Sequence, residues 1–280
     1  MDEAQLAAQQ PEDIDEALRF MRSTLVEFHA HRDKRAIFLR LYYLMTLEVH
    51  KAVNGVGDYA DGPVFLDPSW LKRLSGHFAS AYFRSLDPNP GAGRPGRAWR
   101  TAHSVAADPR SPVLENALLG INAHINFDLP QAIAANLKEH GDLKDPLALQ
   151  RRKFDHDQVN RMLARTVAPV QHVLGEDYGH GIDAVGTLFG SIDDQLSDWE
   201  LAHYREQVWW HALAFAAAEE TDGHGLVRSA LDRTSGDLAD GVGKRRTLWR
   251  TEHAVERLAD VRARLWDTLD IEPLPDGLGD

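Results

Sequence analysis

No cysteine occurs anywhere in the chain, which removes disulfides, thiolate catalysis and every Cys-ligated zinc or iron-sulfur site at once. A metal would have to be held by His, Asp, Glu, Asn or water. Long apolar runs are missing too: none approaches the roughly 20 residues that a bilayer-spanning helix needs. The start, Met1-Asp2-Glu3-Ala4-Gln5-Leu6, lacks the basic stretch and apolar core of a signal peptide, so a cytoplasmic protein is expected. Positive charge is in short supply, with 31 Lys and Arg against 43 Asp and Glu and a formal net charge of -12. Such a chain repels phosphate backbones, and nucleic acid is not an expected partner. The cluster Gly243-Lys244-Arg245-Arg246 reads as a solvated helix start. Neither a Gly-rich phosphate loop, a Ser nucleophile elbow nor a dinucleotide fingerprint is found, which disfavours nucleotide-dependent and serine-hydrolase chemistry.

What is there is ordinary globular material, 43% hydrophobic and 26% charged over 280 residues. Nothing in the composition divides it, so one domain over residues 1–280 is expected. Ile14, Leu18, Met21, Leu25 and Phe28 recur at helical steps and predict a helix from about Glu12 to His31. A second follows Asp33, carries Ile37, Leu41, Leu44 and Val53, and stops at Asn54-Gly55. Asp67-Pro68 caps a third with Leu71, Leu74, Phe78 and Tyr82. Pro88–Gly96, with three prolines and three glycines, is a loop, and Ser111-Pro112 opens another helix. Later helices are expected around Val159–Val170, from Ile182 to Phe215, and from Val255 to Leu269, with a loose tail over residues 271–280. The fold class is therefore all-α: a single large helical bundle-like domain with a buried central helix.

The central helix is where polar chemistry meets an apolar environment. From Ile121 to Leu129 the residues alternate apolar and polar, a strand pattern taken alone. The flanks Val113–Leu119 and Ala132–Leu137 favour helix, and a lone strand would have no partner for its backbone groups. On a helix His124 and Asp128 share a face, while Asn122 and Asn126 lie on a nearly opposite one with Glu115. Each unpaired buried polar group costs roughly 1–3 kcal/mol, so these residues need partners. His-x3-Asp lets an imidazole and a carboxylate reach one zinc, iron or manganese ion, and equally lets an Asp fix a core histidine. Glu48, on the apolar face of the second helix, and Asp155, in Asp155-His156-Asp157 with Asn160 near, are the candidates to complete such a shell or to act as general base. His203 and His211 stand among Trp199, Tyr204, Trp209 and Trp210, where packing or a pocket wall is the expected role.

The run Leu118-Leu119-Gly120-Ile121-Asn122-Ala123-His124-Ile125-Asn126-Phe127-Asp128-Leu129 resembles the signature of an uncharacterised bacterial family, domain of unknown function 5995. Leu41-Tyr42-Tyr43, Phe65–Pro68, Phe78–Phe83 and Trp99 upstream, and Asp155 with Val159-Asn160 downstream, follow the family's pattern in order, over roughly residues 35–175. His156 departs from it, standing where the family more often has an aromatic. The resemblance implies one site grouping Asn122, His124, Asn126, Asp128, Asp155 and Asn160, and implies no reaction. His124, Asp128 and Pro130 also resemble part of the ligand helix of zinc-dependent phospholipase C and S1/P1 nucleases; the further histidine and the amino-terminal tryptophan ligand of that group are absent. Asp193–Asp198 resembles the aspartate-rich magnesium motif of class I terpene cyclases without its companion motif, and reads as helix-start solvation.

Three functions are compatible with this reading. In a metal-dependent enzyme, expected to be a hydrolase, His124 and Asp128 hold the ion and Glu48 or Asp155 serves the bound water. In a metal-free cyclase or lyase for a small lipophilic substrate, His124 is acid or base, Asp128 orients it, and Asn122, Asn126, Asn160, Tyr43, Trp99 and other aromatics line the pocket. In a non-catalytic binding protein, the same groups form a closed polar network. A small molecule is the expected partner in the first two cases.

Overall fold

The computed structural model describes residues 2–88, 95–178, 194–218, 221, 223–249 and 271–278, and among these there are helices and no strands. The helices are α1 (Glu3–Ala7), α2 (Ile14–Ala30), α3 (Arg35–Asn54), α4 (Pro68–Ser85), α5 (Arg97–Ala106), α6 (Val113–Ala123), α7 (Leu129–Glu139), α8 (Pro146–Tyr178), α9 (Asp194–Ala218) and α10 (His224–Trp249). Local chemistry explains most of the ends. Asp13 accepts from the N–H groups of Asp15 and Glu16, so α2 starts at Ile14, two residues later than the periodicity suggests. Gly55 ends α3 in the left-handed region at φ 63°, where a side chain would be strained. Asp67 accepts from Trp70 N–H, and Pro68 occupies the first turn of α4. Ser111 does not cap α6; its oxygens accept from Lys34 Nζ and its Oγ from Asn116, and the helix begins at Val113.

Between α6 and α7 the chain stays helical through one π turn, His124–Asp128, so Val113–Glu139 is a single continuous rod. This is the buried central helix, and it runs through two hydrophobic clusters. Its first half gives Ala117, Leu119, Ala123 and Phe127 to a core shared with Leu18, Met21, Ile37 and Tyr82. Its second half gives Leu129, Ala132, Ile133 and Leu137 to a core shared with Trp70, Leu74, Val208 and Trp209. Phe78, half-buried on α4, packs against both. Each large apolar side chain placed in such a core contributes about 1.5–3 kcal/mol relative to exposure.

Two expectations are corrected here. Residues 271–278 are not a loose tail: Ile271, Leu274 and Leu278 pack on the first core, Tyr43 donates to Glu272 O at 2.9 Å, and Glu272 pairs with the buried Arg40. A guanidinium only 1% exposed needs a partner, and the tail supplies one. The Gly243–Arg246 cluster lies inside α10, not at a helix start. The expected helix over Val255–Leu269, residues 182–193 with Asp193 of the acidic motif, residues 89–94 of the Pro-rich loop, and the side chains of Trp199, His203 and Tyr204 lie outside the described residues. No helix among the described residues is long and apolar enough to cross a membrane.

Candidate active site

At the π turn the rod places His124 against α3, α4 and α5. Gly120, one turn earlier, lets Phe38 of α3 approach, because a Cβ there would stand 2.6 Å from Phe38 Cβ. The His124 ring is 3% exposed. Phe78 stacks on it face to face, with centroids 3.5 Å apart and planes 8° from parallel. Tyr42 meets it nearly edge-on at 4.2 Å, and Phe38, Trp99 and Tyr82 close the remaining sides at 5.5, 6.2 and 6.4 Å. The imidazole therefore sits in an aromatic box built by three helices besides its own.

Within the box one carboxylate oxygen collects two donors. Trp99 Nε1–H reaches Asp128 Oδ2 at 2.8 Å, and His124 Nδ1 lies 3.1 Å from the same oxygen. A carboxylate only accepts, so Nδ1 carries the proton and Nε2 keeps its lone pair. That Nε2 is buried and has no hydrogen-bond partner. Burial lowers the His124 pKa, against the pull of the Asp128 hydrogen bond and charge, so the ring is neutral at pH 7. The same surroundings push Tyr42 well above the ordinary phenol range, mainly by burial and secondarily through the charge of Asp128. This set can hold a neutral, singly oriented imidazole as a proton acceptor out of contact with bulk water.

The other expected site residues divide. Trp99 joins the pair directly. Asn122 and Asn126 form a neighbouring network: Asn126 Nδ2 donates to Asn122 Oδ1 at 2.9 Å, and Asn122 Nδ2 donates to Ser235 O of α10 at 2.8 Å. They tie the π turn to α10, a helix whose glycines hide it from periodicity. Asp155 is fully buried, but its carboxylate accepts from Leu66 N–H at 2.7 Å and Asp67 N–H at 2.9 Å, fixing the entry to α4 rather than serving a water. Burial raises its pKa, and the two backbone donors oppose that. Asn160 lies further along α8 with a buried Oδ1 that has no partner. Glu48 pairs with Lys51 one turn on and keeps a quarter of its side chain in solvent, as a residue at the edge of the α3 apolar face should. Tyr43 points to the carboxy-terminal segment, where burial raises its pKa to about 12. His211 is half-buried, and Trp209 packs 5.7 Å from His156.

Sequence reasoning places none of Phe38, Tyr42, Phe78 and Tyr82 in the site: Phe78 and Tyr82 are read as the apolar face of their helix, Tyr42 only as part of the family pattern, and Phe38 is not singled out. Phe78 and Tyr82 are four residues apart on α4, a spacing that puts both rings on one face toward the same partner. As for a metal, no group of three or more His, Asp or Glu side chains that could hold one occurs among the described residues.

No curated protein and no solved structure matches the chain. A sequence profile of a family of unknown function, DUF5995, matches residues 14–244, and the chain belongs to that family.

Proposed function

We propose that the protein is an enzyme in which His124 acts as a general base, oriented by Asp128, on a small apolar substrate admitted to the aromatic box. The observation that carries this reading is the unpartnered Nε2. A buried acceptor left without a donor costs about 1–3 kcal/mol, a penalty that a purely structural network would avoid by supplying one. Here the opposite nitrogen is held and the ring made neutral, while the lone pair is left for an incoming X–H. The walls suit a flat or lipophilic molecule, and proton abstraction of the isomerase, lyase or cyclase kind fits a site with one base and no adjoining nucleophile. Phe78 covers one face of the imidazole, whereas the Nε2 lone pair lies in the ring plane, so substrate must approach along the ring edge. The π turn agrees with such a role, since π turns inside α-helices concentrate at functional sites.

A metal-dependent hydrolase with zinc, iron or manganese on His124 and Asp128 draws on the same free Nε2. Among the described residues no third His, Asp or Glu completes that pair as a metal-holding group, so water or Asn would have to finish the shell. One experiment separates the two: nitrogen-15 NMR of the histidine rings in untagged protein, with elemental analysis of the same sample. A neutral His124 protonated on Nδ1 with a bare Nε2 and no stoichiometric metal supports the base. A proton on Nε2 overturns it, and one metal per chain that disappears in His124→Ala replaces it by the metal reading.

A further inference from the structure

Of the two donors that meet at Asp128 Oδ2, His124 comes from the same rod and Trp99 from α5. Their bonds are unequal. The indole Nε1–H stands 2.8 Å from the oxygen, inside the range of about 2.7–2.9 Å for bonds to a charged partner, while His124 Nδ1 stands at 3.1 Å, near the long end of about 2.7–3.2 Å for N–H···O. An (i, i+4) pair fixes how far apart two side chains stand, but a carboxylate can still turn about its Cβ–Cγ bond and offer either oxygen. A donor from a second helix removes that freedom. The indole is itself held, and is 2% exposed. His103, one turn further along α5, stacks on it with centroids 5.2 Å apart and planes 15° from parallel, and Ser85 Oγ of α4 lies 3.1 Å from His103 Nε2. Phe38 of α3 and Tyr82 of α4 close on it at 5.5 Å, inclined by 69° and 58°. The direction of the indole N–H is therefore set by packing among α3, α4 and α5, independently of Asp128.

We infer that Trp99 is a positioning residue of this site: its indole N–H selects the Asp128 oxygen that meets His124, takes up part of that oxygen's charge, and so sets how strongly Asp128 pulls on the imidazole. The inference rests on the reading of His124 as the base, and gives Trp99 a role other than the pocket wall expected from the sequence. A carboxylate oxygen that accepts two bonds divides its charge between them, so each donor weakens the other. The short indole bond and the long imidazole bond are that division. Without the indole N–H the oxygen is left to His124 alone, whose bond shortens and whose Nδ1–H is drawn further toward the carboxylate. Trp99 thus moderates the base through Asp128 and needs no contact with substrate to do so.

The test is proton and nitrogen-15 NMR of the full chain at neutral pH, following the His124 Nδ1–H and the Trp99 Nε1–H in wild type, Trp99→Phe and Asp128→Asn. In Trp99→Phe the His124 proton should stay on Nδ1 and its signal move downfield, the mark of a stronger bond; a ring that merely packed would leave it in place. In Asp128→Asn both N–H signals should move upfield together, because one oxygen serves both and has lost its charge. This second variant keeps the indole, so it decides the matter even where the smaller ring of Trp99→Phe disturbs the fold. A His124 signal unmoved or moved upfield in folded Trp99→Phe, or an Asp128→Asn variant in which one signal moves without the other, overturns the inference. The two readings fail separately: a proton on Nε2 in wild type removes the base and this inference with it, whereas a wild type protonated on Nδ1 with unresponsive variants removes this inference alone.

Discussion

Replacing Asp128 by Asn exchanges a charged acceptor for a neutral one of the same shape, and the geometry allows the size of the effect to be worked out. Both donors, Trp99 Nε1–H and His124 Nδ1–H, converge on the single oxygen Oδ2, so the amide oxygen of Asn can occupy that place and keep both bonds. Hydrogen bonds to a charged partner are worth about 1.5–3 kcal/mol and neutral ones about 1 kcal/mol, so the loss is about 1 kcal/mol per bond, or about 2 kcal/mol for the two. A neutral amide is easier to bury than a carboxylate, which offsets part of this and leaves a net cost of about 1 kcal/mol. Asp128→Ala has no such rescue. It strands two buried N–H groups at about 1–3 kcal/mol each, giving about 4 kcal/mol in all. Urea unfolding near neutral pH, read by circular dichroism, measures both variants. The reasoning is refuted if Asn costs as much as Ala, because the acceptor position would then not matter, or if Ala costs less than 1 kcal/mol, because the two donors would then have other partners.

The remaining predictions concern pH and packing. His103 takes up its proton at about pH 4 in the folded protein, against 6.5 as the ordinary value, because burial, followed by the charge of Arg35, disfavours the imidazolium. Between those values the unfolded chain binds the extra proton, so stability is present above pH 6.5 and lost as pH falls toward 4. At about 1.4 kcal/mol per pH unit the loss is at most about 3 kcal/mol, less where the ring edge touches solvent. The stability difference between wild type and His103→Phe, followed by urea unfolding at stepped pH, should narrow or reverse over that window; a constant difference sinks the assignment. Two glycine substitutions should have opposite signs. Gly120→Ala forces a methyl against Phe38 and should destabilise by about 1–3 kcal/mol, whereas Gly241→Ala, on an open face of α10, should stabilise by about 0.5–1 kcal/mol. Thermal melts of the two variants check this, and equal signs would mean that helix propensity alone decides.

The parts of the fold that could be read from sequence are those whose physics is local. Asp67-Pro68 starts α4 and Asn54-Gly55 ends α3 through groups within three residues, each where its chemistry says. The pairing of His124 with Asp128 was legible for the same reason, since four residues along a helix bring two side chains together whatever the rest of the chain does. Long-range chemistry was not. Asp155 has the composition of a metal ligand or base, and only the folded chain shows that backbone N–H groups of Leu66 and Asp67, almost ninety residues earlier, consume both of its oxygens. Glu48 follows an apolar stripe by count but stands at its edge, where Lys51 and solvent take it. Trp99 stood among the expected pocket residues, while the hydrogen bond it gives to Asp128 depends on how α5 lies over the rod. α10 escaped because Gly236, Gly241 and Gly243 thin out its apolar stripe, leaving Leu231 and Ala239 as the buried apolar residues among its described side chains.

The π turn at His124–Asp128 has a consequence for changes of chain length as opposed to changes of side chain. It accommodates one residue more than an α-helix of the same span. Excising a single residue there would restore ordinary hydrogen bonding and, because the extra residue is taken up within the turn, leave α7 near its present phase about the rod axis; the same deletion in an α-helical stretch of the rod would turn everything beyond it by about 100°. A deletion between Val113 and Ala123 would swing Ile133 and Leu137 off the core they share with Trp70, and Asp128 out of its place beside Trp99. Point substitutions along Val113–Glu139 act one contact at a time and a one-codon deletion in its α-helical stretches acts on every contact beyond it, so the π turn is the place along the rod where a missing letter is absorbed.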